Sequence, residues 1–139
     1  MSQELAASLL NQTMWLAGQI SGRMQEALDR LDLTGPLANV LWLLQPDADP
    51  LSLRAIAGLL HCDPSNVTLL SAKLEQRGLA ERRPHPRDGR TRTLVLTEAG
   101  EEVRERLLTT VMRHSPLAGL TLEEQEQLHA LLAKAIDNA

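Results

Sequence analysis

Two stretches of this sequence carry side chains suited to meeting a polyanion. The first is Arg87-Asp88-Gly89-Arg90, with Arg92 two residues on. Guanidinium groups crowd together at an electrostatic cost unless an anion neutralises them, and their fork matches phosphate. Arg on a loop tip can reach a narrow minor groove, where the negative potential is enhanced. Asp88 is placed to orient Arg90 by a charge-assisted pair. The bland alternative is an edge hairpin kept soluble by its charges. The second stretch follows Asp63-Pro64. On a wheel of about 100° per residue, Val67, Leu70 and Leu74 share one face. Ser65, Leu69, Ala72 and Gln76 occupy the other, flanked by Asn66, Thr68 and Lys73. That outer face is small and polar near its start, so such a helix can enter a major groove. Its amides and hydroxyls can meet base edges, and Leu69 a thymine methyl. Lys73, and Arg54 upstream, would hold phosphates and fix register. The alternative is an ordinary amphipathic helix with a polar solvent face.

Other chemistry finds little support. There is no Gly-rich phosphate loop, nucleophile elbow or metal-ligating helix motif. Ser65 and Ser71 lack a His and an Asp at a persuasive spacing. His61, Cys62, Asp63 and His85 match no ligand pattern, and His114 and His129 stand alone. No enzyme, metal or cofactor is therefore expected. Cys62, the only cysteine, excludes an intrachain disulfide framework and points to a reducing cytosol. It precedes a predicted helix N-terminus, which can lower a thiol pKa and suit a redox sensor. A buried structural thiol is the competing reading.

The 139 residues suit one compact domain, or one with helical extensions. No apolar run approaches the ~20 residues of a membrane span. The N-terminus lacks the pattern of a secretory signal. With two Trp and no Phe or Tyr, recognition by stacking single-stranded bases is unsupported. The net charge of −4, taken as a sum, argues against nucleic acid. Its distribution reverses this. Residues 52–96 hold eight basic and four acidic side chains, a net +4, while the remainder holds six and fourteen, a net −8. A basic module within an acidic chain fits a polyanion-binding face, although charge alone equally fits a solvated cluster.

The elements that would position these residues are legible. Leu5, Leu9, Leu16, Ile20, Met24 and Leu28 predict one helix over 3–30. Pro36 suits the first turn of a second, ending before the turn-rich 45–50. Ser52 can cap a third through Leu60, and Asp63-Pro64 can open a fourth that Gly78 ends. Leu79–Arg83, an Arg-rich turn over 84–90 and Arg92–Leu96 predict a hairpin. A hairpin directly after a helix-turn-helix is a wing. Thr97 can cap a helix to about Arg113. Thr121 and Glu124 fit a capping box before an apolar stripe of Leu128, Leu131, Leu132, Ala135 and Ile136. The fold class is mainly α with a small β-hairpin wing.

Leu53-Arg54-Ala55-Ile56-Ala57, Asn66-Val67-Thr68, Leu74 through Arg82, Pro86-Arg87-Asp88-Gly89-Arg90 and Leu94 through Gly100 resemble, in order, the pattern of the MarR family. These are bacterial winged-helix transcription regulators, and the resemblance covers nearly the whole chain. It implies a winged helix-turn-helix over 36–97, flanked by dimerisation helices over 1–35 and 98–139. It implies a homodimer that binds double-stranded DNA at an inverted repeat, typically as a repressor. It also implies a small, often aromatic or phenolic effector held between the dimer region and the winged module. Trp15 and Trp42 are the aromatics such a ligand would meet, though core packing competes for both. Two positions depart from the pattern: Leu69 and Gly89 stand where the family often has basic residues. An interaction module that kept the fold and lost DNA is the alternative.

Overall fold

The computed structural model describes residues 2–113 and 115–139. Met1 and His114, the latter set aside above as a metal ligand, lie outside the described residues. Helix α1 runs Gln3–Leu31, α2 Gly35–Leu43, α3 Leu53–Leu60, α4 Pro64–Gln76, α5 Glu98–Arg113 and α6 Leu122–Asp137. Strands β1 (Leu51–Ser52), β2 (Ala80–His85) and β3 (Asp88–Leu96) form one antiparallel sheet in the order β1-β3-β2. This is the mainly helical architecture with a small β wing expected from the sequence.

Helix boundaries fall where capping chemistry puts them. Thr34 Oγ1 accepts the Leu37 amide, with Pro36 in the first turn of α2. Ser52 Oγ accepts the Ala55 amide at 3.0 Å. At α6 both bonds of the capping box form: Thr121 Oγ1 accepts the Glu124 amide and Glu124 Oε1 the Thr121 amide. Asp63 occupies the N-cap of α4 as expected, but its side chain makes no capping bond. Gly78 adopts φ +69°, the left-handed conformation a residue with Cβ avoids.

The hairpin departs from expectation. Pairing continues to His85↔Asp88, so the turn shrinks from seven expected residues to Pro86-Arg87. Register shifts between Pro84, which pairs with Arg92, and His85. Gly89, Arg90 and Thr91 therefore bulge from the ladder. Strand β1 goes beyond the expected hairpin, because two residues are too few to display alternation. It closes the sheet by pairing Leu51 with Leu94 and Ser52 with Thr93.

The chain divides into two compact units, Gln25–Thr109 and Met1–Met24 with Thr110–Ala139. Both boundaries fall inside helices, α1 and α5. In the first unit Leu41, Ile56, Val67, Leu74, Leu94 and Leu107 are fully buried. Buried hydroxyls find partners: Ser71 donates to Val67 O and Thr93 to Arg83 O. In the second unit α6 buries no residue at all. Leu5, Leu9, Leu10, Met14 and Trp15 of α1, and Leu131, Leu132 and Ile136 of α6, are exposed. Among the described residues, no helix is long and apolar enough to cross a membrane.

Candidate nucleic-acid interface

The two faces expected of α4 are present at most positions. Val67 and Leu74 are buried and Leu70 half-buried. Ser65, Asn66, Thr68, Leu69, Lys73 and Gln76 are exposed, Leu69 by 62%. Ala72 is half-buried and so contributes little outward surface. Thr68 donates its hydroxyl proton to Pro64 O at 3.1 Å. Its free functions are thus its lone pairs and its methyl group. Asn66, Leu69 and Lys73 line a hollow of about 420 Å³ together with Cys62, and with Pro36 and Asn39 of α2. Sequence reasoning misses the α2 residues, since nothing local brings α2 beside α4. Cys62 is half-buried with a free thiol.

The structure sorts the basic residues of the module into two classes. Arg82 pairs with Glu75 at 2.5 Å and Arg83 with Glu81 at 2.5 Å. Arg77 donates to the carbonyls of Leu31 and Asp32, satisfying acceptors near the C-terminus of α1. Arg77 and Arg82 thus tie separate elements together, while Arg83 is neutralised within its own strand. Arg54, Lys73, Arg87, Arg90 and Arg92 are exposed and make no ion pair among the described residues. Lys73 lies on α4 itself, Arg54 on α3, and Arg87, Arg90 and Arg92 at the turn and on β3 of the wing. Five unpaired cations on one module leave their charge available to a polyanion.

The wing tip is organised by Asp88, though not as expected. Its carboxylate does not grip the Arg90 guanidinium. Oδ1 accepts the backbone amide of Arg90 at 3.1 Å and Oδ2 the Thr91 hydroxyl at 2.9 Å. An aspartate accepting from the backbone two residues on is the usual device of a tight turn. The Thr91 bond, then the Arg90 amide, hold the Asp88 carboxyl below the ordinary aspartate range, with a smaller contribution from His85. On the other side of the turn His85 Nδ1 accepts the Arg87 amide at 3.0 Å. One amide within the turn and one just after it are thereby fixed, while the guanidiniums of Arg87 and Arg90 make no ion pair among the described residues.

The two Trp do not pack as core residues within the chain. Trp15 is 62% and Trp42 36% exposed. Beside Trp42, Arg104 donates to the carbonyls of Leu41 and Trp42. That is a cation closing a helix C-terminus, a role that spacing alone does not reveal.

This chain is similar in sequence and fold to known proteins. A model of the MarR family matches residues 33–91, which hold α2 through the wing tip. The HTH-type transcriptional repressor IacR of Pseudomonas putida is 29% identical over 133 residues, covering 89% of this chain and 77% of IacR. The structure of CouR from Rhodococcus jostii RHA1 bound to p-coumaroyl-CoA is 27% identical, with a TM-score of 0.74, covering 94% of this chain and 93% of CouR. A mutant of MepR from S. aureus bound to an oligodeoxyribonucleotide is 26% identical, with a TM-score of 0.63, covering 95% of this chain and 96% of MepR.

Proposed function

We propose that this chain, which resembles the MarR family of transcription regulators over residues 33–91, is a homodimeric repressor of that kind that reads an inverted-repeat operator and is released by a small effector. The observation that carries this reading is the set of five exposed cations without ion pairs among the described residues, on the same module as the exposed face of α4. Asn66, Gln76 and Ser65 supply hydrogen-bonding groups to base edges, and Leu69 offers an apolar contact to a thymine methyl. Arg54 and Lys73 meet phosphates on either side of the inserted helix. Arg87, Arg90 and Arg92 reach the minor groove or its phosphates. MepR bound to an oligodeoxyribonucleotide supports DNA as the partner.

A two-fold dimer presents two copies of α4 about one helical turn of DNA apart, which is why the operator should be an inverted repeat. The apolar faces left open on α1 and α6 support that assembly. For the effector, the exposed rings of Trp15 and Trp42 are the aromatic surfaces available to it. CouR bound to p-coumaroyl-CoA supports an aromatic ligand class. An effector releases DNA only by favouring the state whose reading heads are wrongly spaced.

Selection of bound sites from random duplexes, with affinity followed against salt, tests the reading. An enriched inverted repeat and a steeply negative log–log slope are expected, because each phosphate neutralised contributes about −0.9. A slope near zero would instead mark an interaction module on a winged-helix fold.

A further inference from the structure

The winged module contains a second hollow on which the DNA reading makes no demand. It has a volume of about 350 Å³ and lies among the end of α2, the loop 45–50, the end of β3 and Glu101 of α5. Leu43, Leu44, Leu59 and Leu94 form its apolar side, and the exposed carboxylates of Asp49 and Glu101 line it as well. No Lys, Arg or His is among its lining residues. Neither carboxylate makes an ion pair among the described residues. The loop that shapes it is pre-set: Pro46 and Pro50 fix backbone angles, and the Ala48 amide closes a turn on Gln45 O at 3.3 Å.

An apolar wall beside two unneutralised carboxylates discriminates by charge. An ammonium group seated there would be attracted by the carboxylates that line the hollow, while its hydrocarbon body removes water from the leucines. A carboxylate of the same shape meets repulsion at the same place. No aromatic ring lines the hollow, so cation–π attraction plays no part and the carboxylates alone supply charge selection. The volume stands near the lower end of ligand pockets, about 300–1,000 Å³, so the occupant is small. We propose that this pocket binds a small organic cation, a protonated amine on an apolar body. The site is built from one compact unit and requires neither the two Trp nor DNA.

The test titrates the whole protein with benzylammonium and, separately, phenylacetate, while leucine methyl NMR signals are followed. Saturable shifts of the Leu44, Leu59 and Leu94 methyls with benzylammonium, absent with phenylacetate, are expected. The doubly substituted Asp49→Asn, Glu101→Gln protein should bind at least tenfold more weakly. Should that variant not fold, Asp49→Asn alone, on an exposed loop, should show several-fold weakening. Equal response to both probes, no saturable response, or unchanged affinity in the variants would overturn the proposal. No DNA is present, so a negative result leaves the operator reading untouched.

Discussion

Asp88 and Arg90 divide the work at the wing tip. The carboxylate is spent on an amide and a hydroxyl, which leaves the neighbouring guanidinium free for a phosphate or a groove. Arg90→Ala should therefore weaken duplex binding about tenfold, within the ~1–3 kcal/mol of a good groove contact, and reduce the salt slope by about 1. Affinity unchanged at every salt concentration would remove the wing from the interface. Asn66→Ala should act differently: it should relax base preference at one position of the selected sites, not merely lower affinity. The lowered pKa of Asp88 gives a pH dependence of definite sign. Its native carboxylate is favoured, so its contribution to turn order is present above the ordinary aspartate pKa and is lost as pH falls through the lowered value. The Arg90 amide resonance should move only in that acid range, and Asp88→Asn should abolish the movement. The free guanidiniums are legible from the sequence because Arg types and spacing announce them. The true partners of Asp88 are not, because the bulge that offers it the Arg90 amide depends on where strand register shifts.

Among the elements, the start of α5 shows how one small residue fixes the module. A Cβ on Gly100 would lie 1.8 Å from the Leu79 carbonyl oxygen, so the backbone itself would have to yield. Thr97 locks the same corner, accepting the Gly100 amide and donating to Gly78 O at 2.6 Å. This corner joins the end of α4 to the base of the wing, the two parts that meet DNA in the proposed reading. Gly100→Ala should cost about 1–3 kcal/mol, the scale of overpacking, and lower the thermal midpoint by several degrees. An unchanged midpoint would mean that the corner relaxes freely. The caps at Thr34, Ser52 and Thr121 are readable because a cap is a local event of three or four residues. β1 and the Arg104 bonds to α2 are not, since each joins segments more than forty residues apart.

At the scale of the whole molecule, the feature that asks for a partner is apolar surface. α6 is amphipathic yet buries nothing, and α1 exposes Leu5, Leu9, Met14 and Trp15. Patches of this kind on a stable protein are the mark of an interface. Leu132→Glu with Ile136→Glu should shift the proposed dimer toward monomer in sedimentation velocity. It should also weaken operator binding at least tenfold, because the second half-site then binds independently. A dimer that survives both substitutions would place the interface elsewhere.

Helix positions, the wing, the basic module hidden in an acidic chain and most of the outward face of α4 were determined by the sequence alone. Each follows from periodicity, capping or charge within a few consecutive residues. Tertiary structure decided which cations are free. Glu75 and Glu81 neutralise Arg82 and Arg83, while Arg77 is drawn to carbonyls some 45 residues distant. It also joined Asp49 to Glu101 around one hollow. Composition counts charges, but only the folded chain determines which of them remain unpaired, because pairing depends on distances that the order of residues does not contain.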